Sequence, residues 1–195
     1  MGLALMPTAA IIGGGVNGSG WAARFLIHGW DVAFYDCAPE AEIALNDVLE
    51  KARRWVPEIH DVLPLEGSLF VLSSLKEAVS HADWIQESAP ERLSVKRAIL
   101  RDIESFCSPS AIVASSTSGF MPSELQTDTE CPERILVAHP YNPVYLLPVV
   151  ECVGSPQTSS KVLAEAMHVL RHVGMKPISV GAEIPAHIGL SLIHI

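Results

Sequence analysis

Short apolar runs alternate with longer stretches of helical period along this chain. Ala9–Ile12, Asp31–Tyr35, Leu69–Leu72, Trp84–Gln86, Ala111–Ala114, Ile135–Ala138 and Lys176–Val180 are the apolar runs, and they are short enough to be strands. Between them, Trp21–His28, Pro39–Trp55, Leu75–His81, Leu93–Phe106 and Thr158–Val173 space their apolar residues as amphipathic helices do. Strands that alternate with helices predict βαβ units and a mainly parallel sheet. Right-handed crossovers then place helices on both faces, so the expected class is α/β with a doubly wound sheet. No internal repeat and no low-complexity tract interrupts the pattern.

Composition narrows the picture without changing it. The chain has 195 residues, enough for one domain or one and a fragment, and 49% of them are hydrophobic against 18% charged. A chain that apolar can build a core, which excludes disorder as its main state. Lys plus Arg number 13 against 22 Asp plus Glu, a net charge of −9. That balance argues against nucleic-acid partners and anionic membranes, because both recruit clustered Lys and Arg. No apolar run is long enough for a spanning helix, and Met1–Pro7 lacks the basic start of a secretory signal. Cys37, Cys107, Cys131 and Cys152 form no C-x-x-C pair, so they read as scattered thiols of a reducing cytoplasm.

The first chemistry lies just past the first strand. Gly13-Gly14-Gly15-Val16-Asn17-Gly18 contains G-x-G-x-x-G, with a strand before it and a helix after it. In a Rossmann-type dinucleotide fold, Gly13 would allow the tight turn, Gly15 the approach of a pyrophosphate, and Gly18 close packing of helix on strand. The amides of Val16 and Asn17 would open the helix and face the anion. The second strand ends in Asp36, 18 residues past Gly18. A carboxylate there accepts hydrogen bonds from ribose hydroxyls and repels a 2′-phosphate. Cys37 and Ala38 follow with no Arg, so NAD is expected over NADP, with FAD as the other cofactor such a motif serves.

The densest stretch of polar and rigid residues is His139–Glu151. His139 follows an apolar run, at the carboxyl end of a strand, where open α/β sheets bind ligands. Glu151 comes twelve residues later on a second apolar run. A histidine oriented by a carboxylate is suited to general-base work near neutral pH, and alcohol oxidation needs a base to take the hydroxyl proton. A hydrogen-bonded structural histidine is the plainer reading of the same residue. His168 and His172 are spaced i, i+4 on a helix, but no third ligand is apparent and no metal is expected.

Several segments together resemble the 3-hydroxyacyl-CoA dehydrogenase family. They are Gly13–Gly18, Ala82–Ser88, Pro90-Glu91-Arg92-Leu93, Ser115-Ser116-Thr117-Ser118-Gly119 and Val137–Glu151. The likeness spans about residues 8–188. Where the broad family typically has His-Phe-Phe-Asn-Pro, this chain has His139-Pro140-Tyr141-Asn142-Pro143, followed by Tyr145-Leu146-Leu147-Pro148. That form is similar to the branch of the family that oxidises carnitine. The resemblance implies an NAD-dependent dehydrogenase with His139 as base and Glu151 holding its imidazole. It implies that Ser115 hydrogen-bonds the substrate oxygen, that Asn142 lines the same site, and that Glu87 and Lys96 lie near the ribose and nicotinamide. Turn chemistry remains an alternative for Ser115 and Asn142, as does a solvated helix face for Lys96. The implied substrate is L-carnitine, or alternatively a 3-hydroxyacyl-CoA or other small 3-hydroxy acid, and Phe120, Tyr141 and Tyr145 are candidates to face a trimethylammonium group.

The resemblance also implies a C-terminal helical domain that closes the cleft and forms a homodimer. The expected boundary puts a nucleotide-binding domain at 1–183 and the start of that helical domain at 184–195. Residues 190–195 can be encoded by CTG TCT CTT ATA CAC ATC, the end sequence of a transposon used in sequencing libraries. A truncated reading frame with an adapter-derived tail is therefore expected. Such a chain would bind NAD with little or no turnover.

Overall fold

A parallel neighbour in a sheet requires a crossover of a dozen or more residues, and most strands here have one. The computed structural model describes residues 6–60 and 62–185. In it β1 (Thr8–Ile12), β2 (Asp31–Tyr35), β3 (Leu69–Val71), β4 (Trp84–Glu87), β5 (Ile112–Ser115) and β6 (Ile135–Pro140) run parallel. Their order is β3-β2-β1-β4-β5-β6. The helices between them are α1 (Val16–Ile27), α2 (Ala41–Trp55), α3 (Leu75–Val79), α4 (Leu93–Phe106) and the short α5 (Pro122–Leu125). Strand order reverses between β1 and β4. In a Rossmann-type fold the crevice at that reversal, outside the carboxyl ends of the strands, takes the dinucleotide.

The sheet then departs from a purely parallel pattern. Only residues 141–148 separate β6 from β7 (Val149–Val153), too few for a crossover, so β7 returns antiparallel. The register sets His139 opposite Glu151. Helix α6 (Ser160–His172) leads to β8 (Lys176–Val180), which pairs parallel with β7 at the edge. The strand at Val149–Val153 and helix α5 were not among the elements expected from periodicity. Helix α1 also begins at Val16, five residues before its apolar period does. Asn17, Gly18, Ser19 and Gly20 form helices poorly, yet Gly18–Gly20 are buried and packing holds them there.

Alternate residues of each strand feed cores on opposite faces. Trp84 enters the cluster under α1, α2 and α6 with Trp21, Phe25 and Leu45. Ile85 enters the cluster under α3, α4 and α5 with Leu100, Ile103 and Leu125. Trp30 is buried too, but Trp55 is half exposed and lies under the Arg54 guanidinium, 4.9 Å from its ring centre. Cys152 is buried and Cys37 exposed, and no cysteine forms a disulfide. Residues 190–195 lie outside the described residues, as does nearly all of the segment that begins at 184.

Candidate cofactor and active site

The glycine-rich turn is shaped by what it lacks. Gly13 has φ +100°, and a Cβ on it would stand 2.6 Å from the Ser88 carbonyl oxygen. A Cβ on Gly18 would stand 1.8 Å from the Gly13 carbonyl oxygen, so the start of α1 lies directly on the strand end. Gly15 is different: a Cβ there would meet nothing within 4 Å. Its missing side chain opens the cleft instead of allowing the fold. Gly15 caps α1 without a side-chain hydrogen bond, and no acid stands in the first turn. The first amides and the helix dipole therefore face the cleft with no acid of the helix's own first turn beside them, which suits a pyrophosphate. Val16 is exposed there. Gly14 takes another role, since its amide donates to Asp36 Oδ2. Asp36 Oδ1 accepts from the Ala38 amide at 2.7 Å, which fixes the carboxylate at the end of β2.

A cavity of about 600 Å³ runs from Gly13–Gly15 past Asp36 and Cys37 to Val95 and Ile99 on α4. Its size and apolar walls fit an adenosine. Arg92 also lines it. The absence of an arginine after Asp36 in sequence is therefore not its absence in space, because the strand order brings the start of α4 beside β2's end.

A smaller cavity of about 230 Å³ adjoins Gly15 and Asn17 and is lined by Ser88, Glu91, Lys96 and Ser118. The alternative of a solvated face for Lys96 does not hold, because it is 1% exposed. Its ammonium lies 2.9 Å from Glu87 Oε1, 3.1 Å from the Ala89 carbonyl and 3.3 Å from Glu91 Oε2. Glu87 is fully buried and does not line the cavity. It holds Lys96 from behind.

Ser115 has the same partner. It is fully buried at the end of β5, and its hydroxyl donates to Glu87 Oε2 at 2.5 Å. A proton committed to a buried carboxylate is not offered to a substrate. Ser116 and Ser118 are the members of the string that line the cavity. Spacing along the string could not distinguish them, because the chain turns out of the strand right after Ser115. The residue sequence reasoning missed is Glu91. Its Oε1 accepts from the Thr117 hydroxyl at 2.5 Å and from the amides of Ser118 and Gly119 at 3.1 and 3.0 Å. Burial pushes its carboxyl up, but the Thr117 hydroxyl, the Lys96 charge and the Gly119 amide outweigh that and hold it below the usual range. The signal was the Pro90-Glu91-Arg92-Leu93 string, which carried the resemblance but no assigned role.

On the far side of the cleft, His139 is 8% exposed at the end of β6, and its Nδ1 lies 3.0 Å from Glu151 Oε2. The Tyr141 ring centre is 5.9 Å from that of His139. Burial, and then the charge of Glu151, push the Tyr141 hydroxyl above its ordinary pKa. Neither His139 nor Glu151 lines either cavity. Asn142 provides the link, since its Nδ2 donates to Asn17 Oδ1 at 2.8 Å on the cavity wall. Among the three candidate aromatics, Tyr141 lies beside the base, while Phe120 and Tyr145 pack against the two cores. His168 and His172 stack at 5.7 Å on α6. Among the described residues, no group of three or more His, Cys, Asp or Glu is placed to hold a metal.

Residues 8–184 match the model of the 3-hydroxyacyl-CoA dehydrogenase NAD-binding domain. The chain belongs to the 3-hydroxyacyl-CoA dehydrogenase family. NAD is the cofactor of this domain, in keeping with the open backbone at Gly15. Among curated relatives, the L-carnitine dehydrogenase/betainyl-CoA thioesterase of Ruegeria pomeroyi is 53% identical over 94% of this chain and 38% of that protein. The L-carnitine dehydrogenase of Pseudomonas aeruginosa is 44% identical over 94% of this chain and 57% of that protein. The chain thus spans 38% of the one relative's length and 57% of the other's. Among solved structures, the NAD-dependent 5-formyl-3-hydroxy-2-methylpyridine 4-carboxylic acid 5-dehydrogenase superposes with a TM-score of 0.91 at 30% identity. It is matched over 97% of this chain and 62% of that one. The 3-hydroxybutyryl-CoA dehydrogenase of Escherichia coli shares the fold, with a TM-score of 0.83 at 24% identity over 95% of this chain and 40% of that one.

Proposed function

We propose that this chain is the NAD-binding, base-bearing part of an enzyme that oxidises the 3-hydroxyl of L-carnitine to 3-dehydrocarnitine. The observation that carries the chemistry is the buried His139–Glu151 pair at the carboxyl edge of the sheet. The 53% identity to a carnitine-oxidising relative supports the substrate. On this reading residues 1–183 are the nucleotide-binding domain, residues from 184 begin the next, and the full-length form is a homodimer.

The glycine turn and the first amides of α1 hold the pyrophosphate, and Asp36 holds the adenosine ribose. When bound, NAD accepts the hydride that leaves C3. An ionised Glu151 can only accept a hydrogen bond, so it keeps the proton on Nδ1 of His139 and makes Nε2 the basic nitrogen. His139 takes the hydroxyl proton as the C–H electron pair leaves, and the carbon–oxygen double bond forms. Glu151 stabilises the resulting imidazolium. Ser118, in place of Ser115, and Asn142 are assigned to the substrate oxygen. The Tyr141 ring face offers a site for the trimethylammonium cation.

The test is NADH formation from NAD with L-carnitine, D-carnitine and 3-hydroxybutyryl-CoA on the full-length protein. The expected result is turnover with L-carnitine alone, cut by roughly 10²–10⁴-fold in His139→Ala. Turnover with the CoA ester alone would keep the fold, NAD and His139 and would discard carnitine.

A further inference from the structure

An arginine is buried in the cofactor helix without an ion-pair partner among the described residues. Arg24 on α1 is 1% exposed. Burial lowers its pKa to about 10, so it remains a cation at neutral pH. Its Nε and Nη2 donate to one acceptor, the Val144 carbonyl oxygen, at 3.2 and 2.9 Å. Nη1 is buried without a hydrogen-bond partner. An uncompensated buried charge costs several kcal/mol, and packing alone would be served better by an apolar residue.

What Arg24 grips is the loop that follows the base. Gly20, one turn earlier on α1, has no side chain, and a Cβ there would stand 2.8 Å from Val144 Cβ. Asn17, at the cleft, accepts the amide of Asn142. Asn17, Gly20 and Arg24 are spaced i, i+3 and i+7, so they form one stripe along α1. That stripe meets residues 142–144 at three points, starting three residues past His139. Within the loop, the Leu146 and Leu147 amides return to the Pro143 carbonyl at 3.0 and 2.9 Å.

The geometry points to Arg24 as a positioning residue for the base. It locks the 141–148 loop onto the cofactor helix, so Tyr141 stays against His139 and Asn142 stays against Asn17. One rigid helix then carries both the cofactor mouth, at Gly15 and Asn17, and the clamp on the base loop. The catalytic part of this inference rests on the dehydrogenase reading, but the clamp itself does not.

Hydrogen exchange read by mass spectrometry separates the two. In Arg24→Met, amides of residues 141–148 should exchange about tenfold faster or more, while those of 112–115 in β5 stay unchanged. The affinity for NAD should stay within about threefold, and kcat should fall about tenfold or more with little change in the KM for NAD. Arg24→Lys, which keeps a donor, should recover part of both effects. Gly20→Ala should loosen the same loop by pushing on Val144 without touching Arg24, and it decides the matter with Arg24→Lys if Arg24→Met does not fold. Unchanged loop exchange in these variants would overturn the proposal. Equal loosening of β5 would also overturn it, because Arg24 would then be a packing residue. All of these readings are made on the full-length protein, and selective loosening there without turnover of L-carnitine or 3-hydroxybutyryl-CoA would keep the clamp and discard the dehydrogenase reading.

Discussion

The two sides of the cleft are built from opposite materials. The cofactor side is made of backbone and missing side chains: Gly18 lets α1 touch the end of β1, Gly13 makes room for the Ser88 carbonyl, and Gly15 leaves the mouth open. The base side is made of buried polar groups with fixed partners, His139 with Glu151 and Arg24 on the Val144 carbonyl, and Lys96 with Glu87 repeats that construction behind the smaller cavity. A cofactor whose phosphates bind to amides needs space and a dipole. A proton transfer needs an atom held in place, and that requires side chains whose partners are fixed. The first side should therefore fail when an atom is added, and the second when one is removed.

The sharpest way to break the comparison lies within the glycine turn. Gly18→Ala places a carbon 1.8 Å from the Gly13 carbonyl oxygen, so the strand and helix must separate. A loss of about 4 kcal/mol or more is expected by urea unfolding. Gly15→Ala meets nothing, so stability should change by about 1 kcal/mol at most, while the affinity for NAD should drop about tenfold or more in a titration. If both variants lose stability alike, the open mouth at Gly15 is not a ligand feature.

Removal of a buried polar partner comes next. Lys96→Met leaves Glu87 buried and unpaired, and chemical denaturation should show a loss of about 3–5 kcal/mol. A neutral outcome would mean that Glu87 is carried by Ser115 and the Ala89 amide alone.

The smallest effect lies away from the cleft and follows pH. His28 is half-buried at the end of α1, with Nδ1 2.8 Å from the Arg24 carbonyl oxygen. Burial lowers its pKa to about 4 from 6.5. The unfolded chain gains a proton on this ring as pH falls past about 6.5, whereas the folded chain does so only near 4. Stability should therefore fall as pH drops through that window, by about 1–2 kcal/mol after allowance for partial exposure. Urea midpoints at about pH 7 and pH 5 should converge in His28→Gln.

The fold class, the glycine turn and the candidate base were legible in the chain because each depends on local order. A period of two or of 3.6 marks strand and helix. G-x-G-x-x-G works through neighbouring amides. A histidine just past an apolar run sits at a sheet's edge by construction. What the sequence left open depends on which segments meet. Nothing near Ser115 in sequence shows that Glu87, 28 residues away, accepts its hydrogen bond. Lys96 lies on a helix whose other charged residues are all at least partly exposed, and packing between β4 and α4 buries it. No arginine stands just after Asp36 in the chain, yet Arg92 comes to the same cavity through strand order. His139 and Glu151 were expected to work together, but an antiparallel return between two neighbouring strands makes them face each other. The amino-acid sequence alone determined the local elements and the chemistry available to them. Tertiary packing decided which polar groups are buried together and which are left for a ligand, because burial and pairing are properties of contacts that the chain makes only once folded.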